Sequence, residues 1–328
     1  MPSFLGCPVK LVFCGTPRFA VPTLEALLGA GHEIALVVSQ PDRPVGRGQQ
    51  LTAPPVKQAA LAAGIEVTQP ERIRNNQEFR AQLEAIAPAA IVVVAYGRII
   101  PPWMLALPKL GCINLHGSLL PRYRGAAPIQ WAVAMGDAFT GNTTMLLEEG
   151  LDTGPILLQQ TVEIDPEATA VDLFERLARE GAPLVVDTLA GLAGGTIQAQ
   201  PQNHSFATFA PLLDREDARI DFASRTAREI YNRWRGFQPW PGAFTTLEGK
   251  KLIVHRLRPV ETADNSEQAD VLPGRIHIER DRLFAACAAE SWIELLEVQL
   301  EGKRRLSAAE FLRGTLLVEG ARFGERAS

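Results

Sequence analysis

The chain has 328 residues, 46% of them hydrophobic and 21% charged, which is enough for two domains with buried cores and excludes wholesale disorder. Its formal net charge of -4 excludes a surface that is basic throughout, so any nucleic-acid contact has to be local. Cys7, Cys14, Cys112 and Cys287 lie far apart with no C-x-x-C pair and no clustered histidine, which speaks against a metal site or a disulfide framework.

Residues 10–15 (KLVFCG), 33–40 (EIALVVSQ) and 90–97 (AIVVVAYG) are short, β-branched and almost continuously apolar, as parallel strands covered on both faces are. Helical patterns run between them: PTLEALLGAGH, with Gly31 near its end, then VKQAALAAG and NQEFRAQLEAIAP. Gly15 closes the first strand in FCGTPRF, where a dinucleotide site would need G-x-G-x-x-G. A single glycine followed by Pro17 disfavours a nicotinamide cofactor and leaves Gly15 to open the strand-to-helix turn, with Pro17 early in the helix. The run SQPDRPVGRGQQL is too rich in Pro and Gly for regular structure and reads as a surface loop. Strands alternating with helices predict an α/β fold, a Rossmann-like open and mostly parallel sheet.

CINLH (112–116) is then the fourth or fifth strand, followed by a helical PIQWAVAMGD. NTTMLLEE and PILLQQTVEI flank GLDTG (150–154) and are expected to pair through it. The long amphipathic AVDLFERLAREGAPLVVDTLAGL closes a first domain, residues 1–195. Residues 196–213 turn polar and Pro-bearing and read as an interdomain linker. Beyond it, residues 214–328 combine a helix, RTAREIYNRWRGF, with short alternating strands and a last helix near SAAEFLRG, which predicts a smaller OB-like β-barrel domain. Trp234 and Trp240 read as core residues. The first ten residues carry no signal-peptide pattern and no apolar run reaches 18 residues, so a cytoplasmic protein with no membrane contact is expected, and a monomer by default.

The polar residues of CINLH carry the chemistry. On a strand, Asn114 and His116 project from one face while Ile113 and Leu115 face the other. Gly117 and Pro121 break the strand at once, which puts both at its carboxyl end, where open α/β sheets bind ligands. Taken alone, an N-x-H reads most simply as a satisfied core histidine and a loop-tying asparagine. Asp152, between Gly150 and Gly154, adds a carboxylate on a turn that could reach the imidazole, though such an aspartate alone is a turn former.

NLHGSLLPRYRGAAPIQWAV, followed by GLDTG, resembles the formyltransferase signature N-x-H-x-S-L-L-P-x-x-x-G with its downstream Asp. With FCGTPRFAVPTLEAL, SQPDRPVGRG, DREDARIDF and GFQPWPGAF, the resemblance spans nearly the whole chain and is to the methionyl-tRNA branch of that family. It implies transfer of the formyl group of 10-formyltetrahydrofolate to methionyl initiator tRNA, releasing tetrahydrofolate, with no metal. It implies that Asn114, His116 and Asp152 are catalytic, that Ser118, Leu119, Leu120 and Pro121 contact the folate, and that Arg47 on the 39–51 loop meets the tRNA acceptor end. Asn114 suits the stabilisation of an oxyanion, and His116 either that or, supported by Asp152, the removal of the amine proton. Gln49 and Gln50 stand where lysines are common in some relatives, which lowers the charge of that loop. A tRNA footprint on the second domain requires Lys250, Lys251, Arg256, Arg258, Lys303, Arg304 and Arg305 to share a face. The alternatives are a sugar-amine formyltransferase, a 10-formyltetrahydrofolate hydrolase, and a non-catalytic RNA-binding module.

Overall fold

A computed structural model describes residues 8–46, 48–260, 271–317 and 321–324. They fall into two compact units, the first from Met1–Ile129, Phe139–Ile164 and Asp172–Pro211, the second from Gln130–Ala138, Asp165–Val171 and Leu212–Ser328. The units are therefore not contiguous in sequence.

The first unit is built on a seven-stranded sheet. Its strands are β1 (Lys10–Gly15), β2 (Glu33–Val38), β5 (Val67–Thr68), β6 (Ala90–Val94), β7 (Cys112–His116), β8 (Phe139–Leu146) and β9 (Ile156–Glu163), in the order β5-β2-β1-β6-β7-β8-β9. The five strands from β5 to β7 pair in parallel, β8 is antiparallel to β7 and β9 antiparallel to β8, so β7 ends the run of parallel pairs. The helices are α1 (Val21–Gly29), α2 (Pro55–Ala62), α3 (Gln77–Ile86), α4 (Pro102–Leu105), α5 (Pro128–Ala134), which runs on into the second unit, and α6 (Ala170–Ala193). A 3-10 turn, Arg18–Ala20, precedes α1, and Pro17 sits at the start of that turn rather than in the helix.

Burial follows the apolar runs. Val12, Cys14, Leu36, Val38, Ile91 and Val93 form one core cluster with Phe79 and Leu83 of α3. Each such side chain contributes roughly 1.5–3 kcal/mol by leaving water. Helix α3 starts on Asn76, whose side chain accepts from the Phe79 N–H at 3.0 Å. A side chain added at Gly15 would lie 2.9 Å from the Ala20 Cβ and 3.2 Å from the Val94 carbonyl, so only glycine admits this tight exit from β1.

The 39–51 segment is more regular than its composition indicates. Arg43–Val45 (β3) and Gln50–Thr52 (β4) pair as a two-stranded antiparallel ribbon closed by a bond from the Gln49 N–H to the Gly46 carbonyl. Pro44 is tolerated because each strand of a ribbon has an unpaired side. At its base Lys57 donates to both oxygens of Asp42 at 2.9 Å and to Gln69 at 2.7 Å, which holds the Asp42 carboxyl below its usual range.

The second unit holds the antiparallel half-barrel sheet β10 (Phe244–Leu247), β11 (Lys250–Val260), β14 (Trp292–Leu300), β13 (Arg282–Ala286) and β12 (Ile276–Glu279), with β15 (Leu306–Ser307) on β14. The β11–β14 register skips His255 and Leu296. These two irregularities keep Leu252, Val254, Leu257 and Leu295, Val298 on the core face. Capping boxes start both helices, Thr226 with Glu229 on α7 (Ala227–Gly236) and Ser307 with Glu310 on α8 (Ala308–Gly314). Trp234 packs against this core, whereas Trp240, between two prolines on the turn from α7 to β10, is 52% exposed and is not a core residue.

Candidate active site

Strand β7 is buried throughout, with Asn114 at 9% and His116 at 6% exposure. Among the described residues no protein group hydrogen-bonds the Asn114 carboxamide. Its polar atoms are not sealed from solvent, so the amide stands free to donate to a ligand at the end of the strand. His116 is oriented by its loop: Nε2 lies 2.9 Å from the Tyr123 carbonyl. A carbonyl only accepts, so Nε2 carries the proton and the neutral ring presents a lone pair at Nδ1. That nitrogen faces Asp152 Oδ2 at 3.7 Å, too long for a direct hydrogen bond and short enough for one incoming N–H donor group to reach both acceptors.

Asp152 is placed by its turn. Its backbone is left-handed, with φ 50°, a conformation an aspartate tolerates better than most residues. A Cβ on Gly154 would stand 1.8 Å from the Leu146 carbonyl, so the turn can close only over glycine. The Gly125 N–H donates to Asp152 Oδ2 at 2.8 Å, fastening the carboxylate to the loop that also carries the His116 partner Tyr123.

The 117–125 loop is tied internally. Ser118 Oγ donates to the Arg122 carbonyl at 2.6 Å. Thr143, opposite His116 on β8, donates to the Ser118 carbonyl at 2.6 Å and accepts from the Leu120 N–H at 3.1 Å. Gln159 donates to Thr143 Oγ1 and to the Leu120 carbonyl, both at 2.9 Å. The polar atoms of Ser118 and Leu120 thus hold the loop, and Leu119 and Pro121 are its half-buried apolar members.

Of the sequence-predicted residues the structure brings Asn114, His116, Asp152 and Ser118 to Pro121 around the carboxyl end of β7. Arg47 lies outside the described residues. Sequence reasoning missed Thr143, Gln159, Tyr123, Arg124 and Gln202. Only Thr143 had a signal, since antiparallel pairing of NTTMLLEE with CINLH sets a threonine beside His116.

Among the described residues the three cysteines are buried, which pushes Cys112 and Cys287 up to about 12 and Cys14 well above its ordinary value, so all three stay protonated near neutrality. Among the described residues no three His, Cys, Asp or Glu side chains group to hold a metal ion, and no helix is long and apolar enough to cross a membrane.

In the second unit, Arg256 and Arg258 lie on the face of β11 opposite its core, and each meets a glutamate of β14, Glu297 at 3.7 Å and Glu294 at 2.7 Å. Arg305 also pairs with Glu297, and Arg282 with Glu294 at 2.8 Å. Arg282 also lies 3.7 Å from Glu279, so four guanidinium groups meet three carboxylates and leave an excess of one positive charge. Lys251 and Arg219 lie over the Phe244 ring, with the Lys251 nitrogen 4.0 Å from its centroid. Arg304 pairs with Glu310, and Lys250 and Lys303 are exposed.

Residues 9–189 match the family described as "Formyl transferase", and residues 212–316 the family described as "Formyl transferase, C-terminal domain". The chain is 64% identical over 316 residues to the methionyl-tRNA formyltransferase of Acidobacterium capsulatum, covering 96% of this chain and 100% of that protein. It is 58% identical over 304 residues to the methionyl-tRNA formyltransferase of Koribacter versatilis, covering 93% and 95%. Among solved structures the fold is similar to an N-formyltransferase from Helicobacter canadensis, in complex with folinic acid and dTDP-3-aminofucose, at TM-score 0.64 and 18% identity, with 88% of this chain and 98% of that one covered. It is also similar to the sugar 3N-formyl transferase WlaRD, at TM-score 0.63 and 17% identity over 91% of this chain and 100% of that one.

Proposed function

Because the chain belongs to the formyl transferase family, we propose that its site transfers the formyl group of 10-formyltetrahydrofolate to the free α-amino group of methionine esterified to initiator tRNA. The observation that carries the chemistry is the convergence, at the end of β7, of a carboxamide that no described protein group holds with two acceptors 3.7 Å apart, His116 Nδ1 and Asp152 Oδ2.

The amine nitrogen attacks the formyl carbon, and the carbonyl oxygen becomes an oxyanion. Asn114 donates to that oxygen; a donor aimed at developing charge is worth on the order of 10² to 10³ in turnover. The nitrogen has to shed a proton as the amide forms, and the His116 and Asp152 acceptors receive it. Collapse of the tetrahedral adduct breaks the bond to the folate nitrogen, which takes up a proton and leaves as tetrahydrofolate. With Nε2 donating to Tyr123, His116 serves as acceptor rather than as the main oxyanion donor. Leu119 and Pro121 offer the donor's flat ring an apolar wall, held still by Thr143 and Gln159.

Arg47 and the guanidinium groups around Glu294 and Glu297 are the cations we assign to tRNA phosphate contact. The 64% identity to a methionyl-tRNA formyltransferase favours this acceptor over a sugar amine. Charged initiator tRNA is a cytoplasmic substrate, and we place the protein there, as a monomer. The test is formyl transfer from 10-formyltetrahydrofolate to charged initiator tRNA by the wild type and by His116→Ala, with nucleotide-sugar amines as competing acceptors. Formylmethionyl-tRNA from the wild type alone is expected. A formylated sugar amine, free formate without an acceptor, or an unchanged rate in His116→Ala would each overturn the reading.

A further inference from the structure

We propose that Gln202, in the segment joining the two family-matched regions, is a positioning residue that locks Asp152 against the His116 loop. Its side chain is buried at 6% exposure, and all four hydrogen-bonding positions of its amide are used. Nε2 donates to the backbone carbonyls of Asp152 at 2.8 Å and Gly154 at 2.7 Å. Oε1 accepts from Arg124 Nε at 3.1 Å and Nη2 at 2.6 Å. One amide therefore grips the backbone of the carboxylate's turn on one side and the 117–125 loop on the other. Gly125, next to Arg124, gives its N–H to Asp152 Oδ2, which closes the ring of contacts around the carboxylate.

The side-chain type follows from the partners. Two carbonyls require a donor and a guanidinium requires an acceptor, so a carboxylate or an ammonium satisfies only half of the set, and asparagine is one methylene shorter. Gln202 is itself fixed at both flanks. Gln200 exchanges two 2.8 Å backbone bonds with Ile156, just after the Asp152 turn. Downstream, Arg124 N–H donates to the Thr208 carbonyl at 2.8 Å and Ala210 N–H to the Arg124 carbonyl at 2.7 Å. The segment from 200 to 210 is a strap from one side of the site to the other, not a free tether. His204 adds to it: Nδ1 lies 3.0 Å from Arg124 Nη2, and because arginine only donates, the imidazole accepts there.

The catalytic consequence rests on the proposed function. Asp152 holds a left-handed backbone, and releasing its carbonyl and that of Gly154 lets the turn relax and the 3.7 Å approach to His116 lengthen. Misplacement of a catalytic group by about 1 Å costs on the order of 10²-fold. Formyl transfer and hydrogen–deuterium exchange are measured on the full chain, wild type, Gln202→Ala and Gln202→Glu. The expected result for both variants is a fall in kcat of about 10- to 100-fold with KM for either substrate within about threefold. Exchange rises in peptides spanning 121–127 and 147–156 and nowhere else. Gln202→Glu keeps the Arg124 acceptor and the volume, so it carries the test if the alanine variant does not fold. Wild-type kcat in Gln202→Glu, or a loss accompanied by faster exchange throughout the chain, would overturn the clamp. The exchange arm needs no substrate: if it responds while the wild type does not formylate methionyl-tRNA, the proposed function fails and the clamp stands.

Discussion

Two largely buried carboxylates, one in each unit, are held in opposite ways. Glu294, with a side chain 5% exposed, accepts from Arg258 Nε at 2.7 Å and from Arg282 Nε and Nη2 at 2.8 and 3.0 Å. Asp152, 15% exposed, accepts one backbone N–H at 2.8 Å and faces an imidazole at 3.7 Å. The first carboxylate is neutralised, and its hydrogen bonds with Arg282 and then Arg258 hold its pKa below the ordinary range despite burial. The second is located by its backbone, through Gln202 and two glycines, and faces His116 with no cation against it among the described residues. A carboxylate that fixes a fold is saturated; one proposed to take a proton is placed by its surroundings without being consumed by them.

The largest expected effect separates the two directly. Asp152→Asn keeps shape and the Gly125 contact but removes the charged acceptor, so kcat falls by about 10² to 10⁴ while the melting temperature hardly moves. Asn114→Ala loses on the order of 10² to 10³. Steady-state kinetics with thermal melts on each variant check this. A stability loss without a kinetic loss in Asp152→Asn would assign that carboxylate to the same class as Glu294.

The next effect asks whether position alone matters. In Gly154→Ala the carboxylate remains, but the new Cβ meets the Leu146 carbonyl, which is backbone and moves only with β8. Relieving that overlap costs about 1–3 kcal/mol of stability. Turnover is expected to drop about tenfold as the Asp152 turn shifts away from His116. Gly150→Ala is the milder control, because its nearest atom, Thr153 Oγ1, belongs to a side chain that can rotate. Equal losses at both glycines would show that chain stiffness, not the direction of the carboxylate, sets the rate.

The two regions also differ in how far the sequence discloses them. The parallel strands were legible because burial on both faces writes a continuous apolar run, and Asn114 and His116 stood out because polar residues at a spacing of two interrupt one. The pairing of β8 with β9 followed from the turn between them. The β3–β4 ribbon was not legible, since β4 is exposed along its length and a ribbon without a core writes no apolar alternation. Gln202 left no trace either. A polar, Pro-bearing stretch reads alike whether it hangs free or is strapped down, and its partners Asp152 and Arg124 lie 50 and 78 residues away. The unit boundary was hidden for a similar reason: Gly236 packs against the backbone of 130 and 134, and the Trp131 ring meets Phe237 edge-on at 5.5 Å, contacts over a hundred positions apart in sequence.

The smallest expected effect is an acid limb on the stability of the second unit. The folded pKa of Glu294 lies below its ordinary value of 4.5, so the pairing contributes fully above pH 4.5 and is lost as the pH falls through the lowered folded value. Arg258 and Arg282 are about half exposed and solvent screens them, so the contribution is about 1 kcal/mol. Glu294→Gln removes it at neutral pH and flattens the acid limb, leaving kcat as in the wild type. Unfolding midpoints measured from pH 7 down to about 3 in the wild type and Glu294→Gln follow this limb through the carboxylate range. Curves that stay parallel below pH 4.5 would mean that the glutamate is not discharged in the folded-state window and that its arginines hold it for geometry alone. A fall in kcat at pH 7 with the fold intact would tie the Arg-rich face of the half-barrel to catalysis and dissolve the division between the two carboxylates.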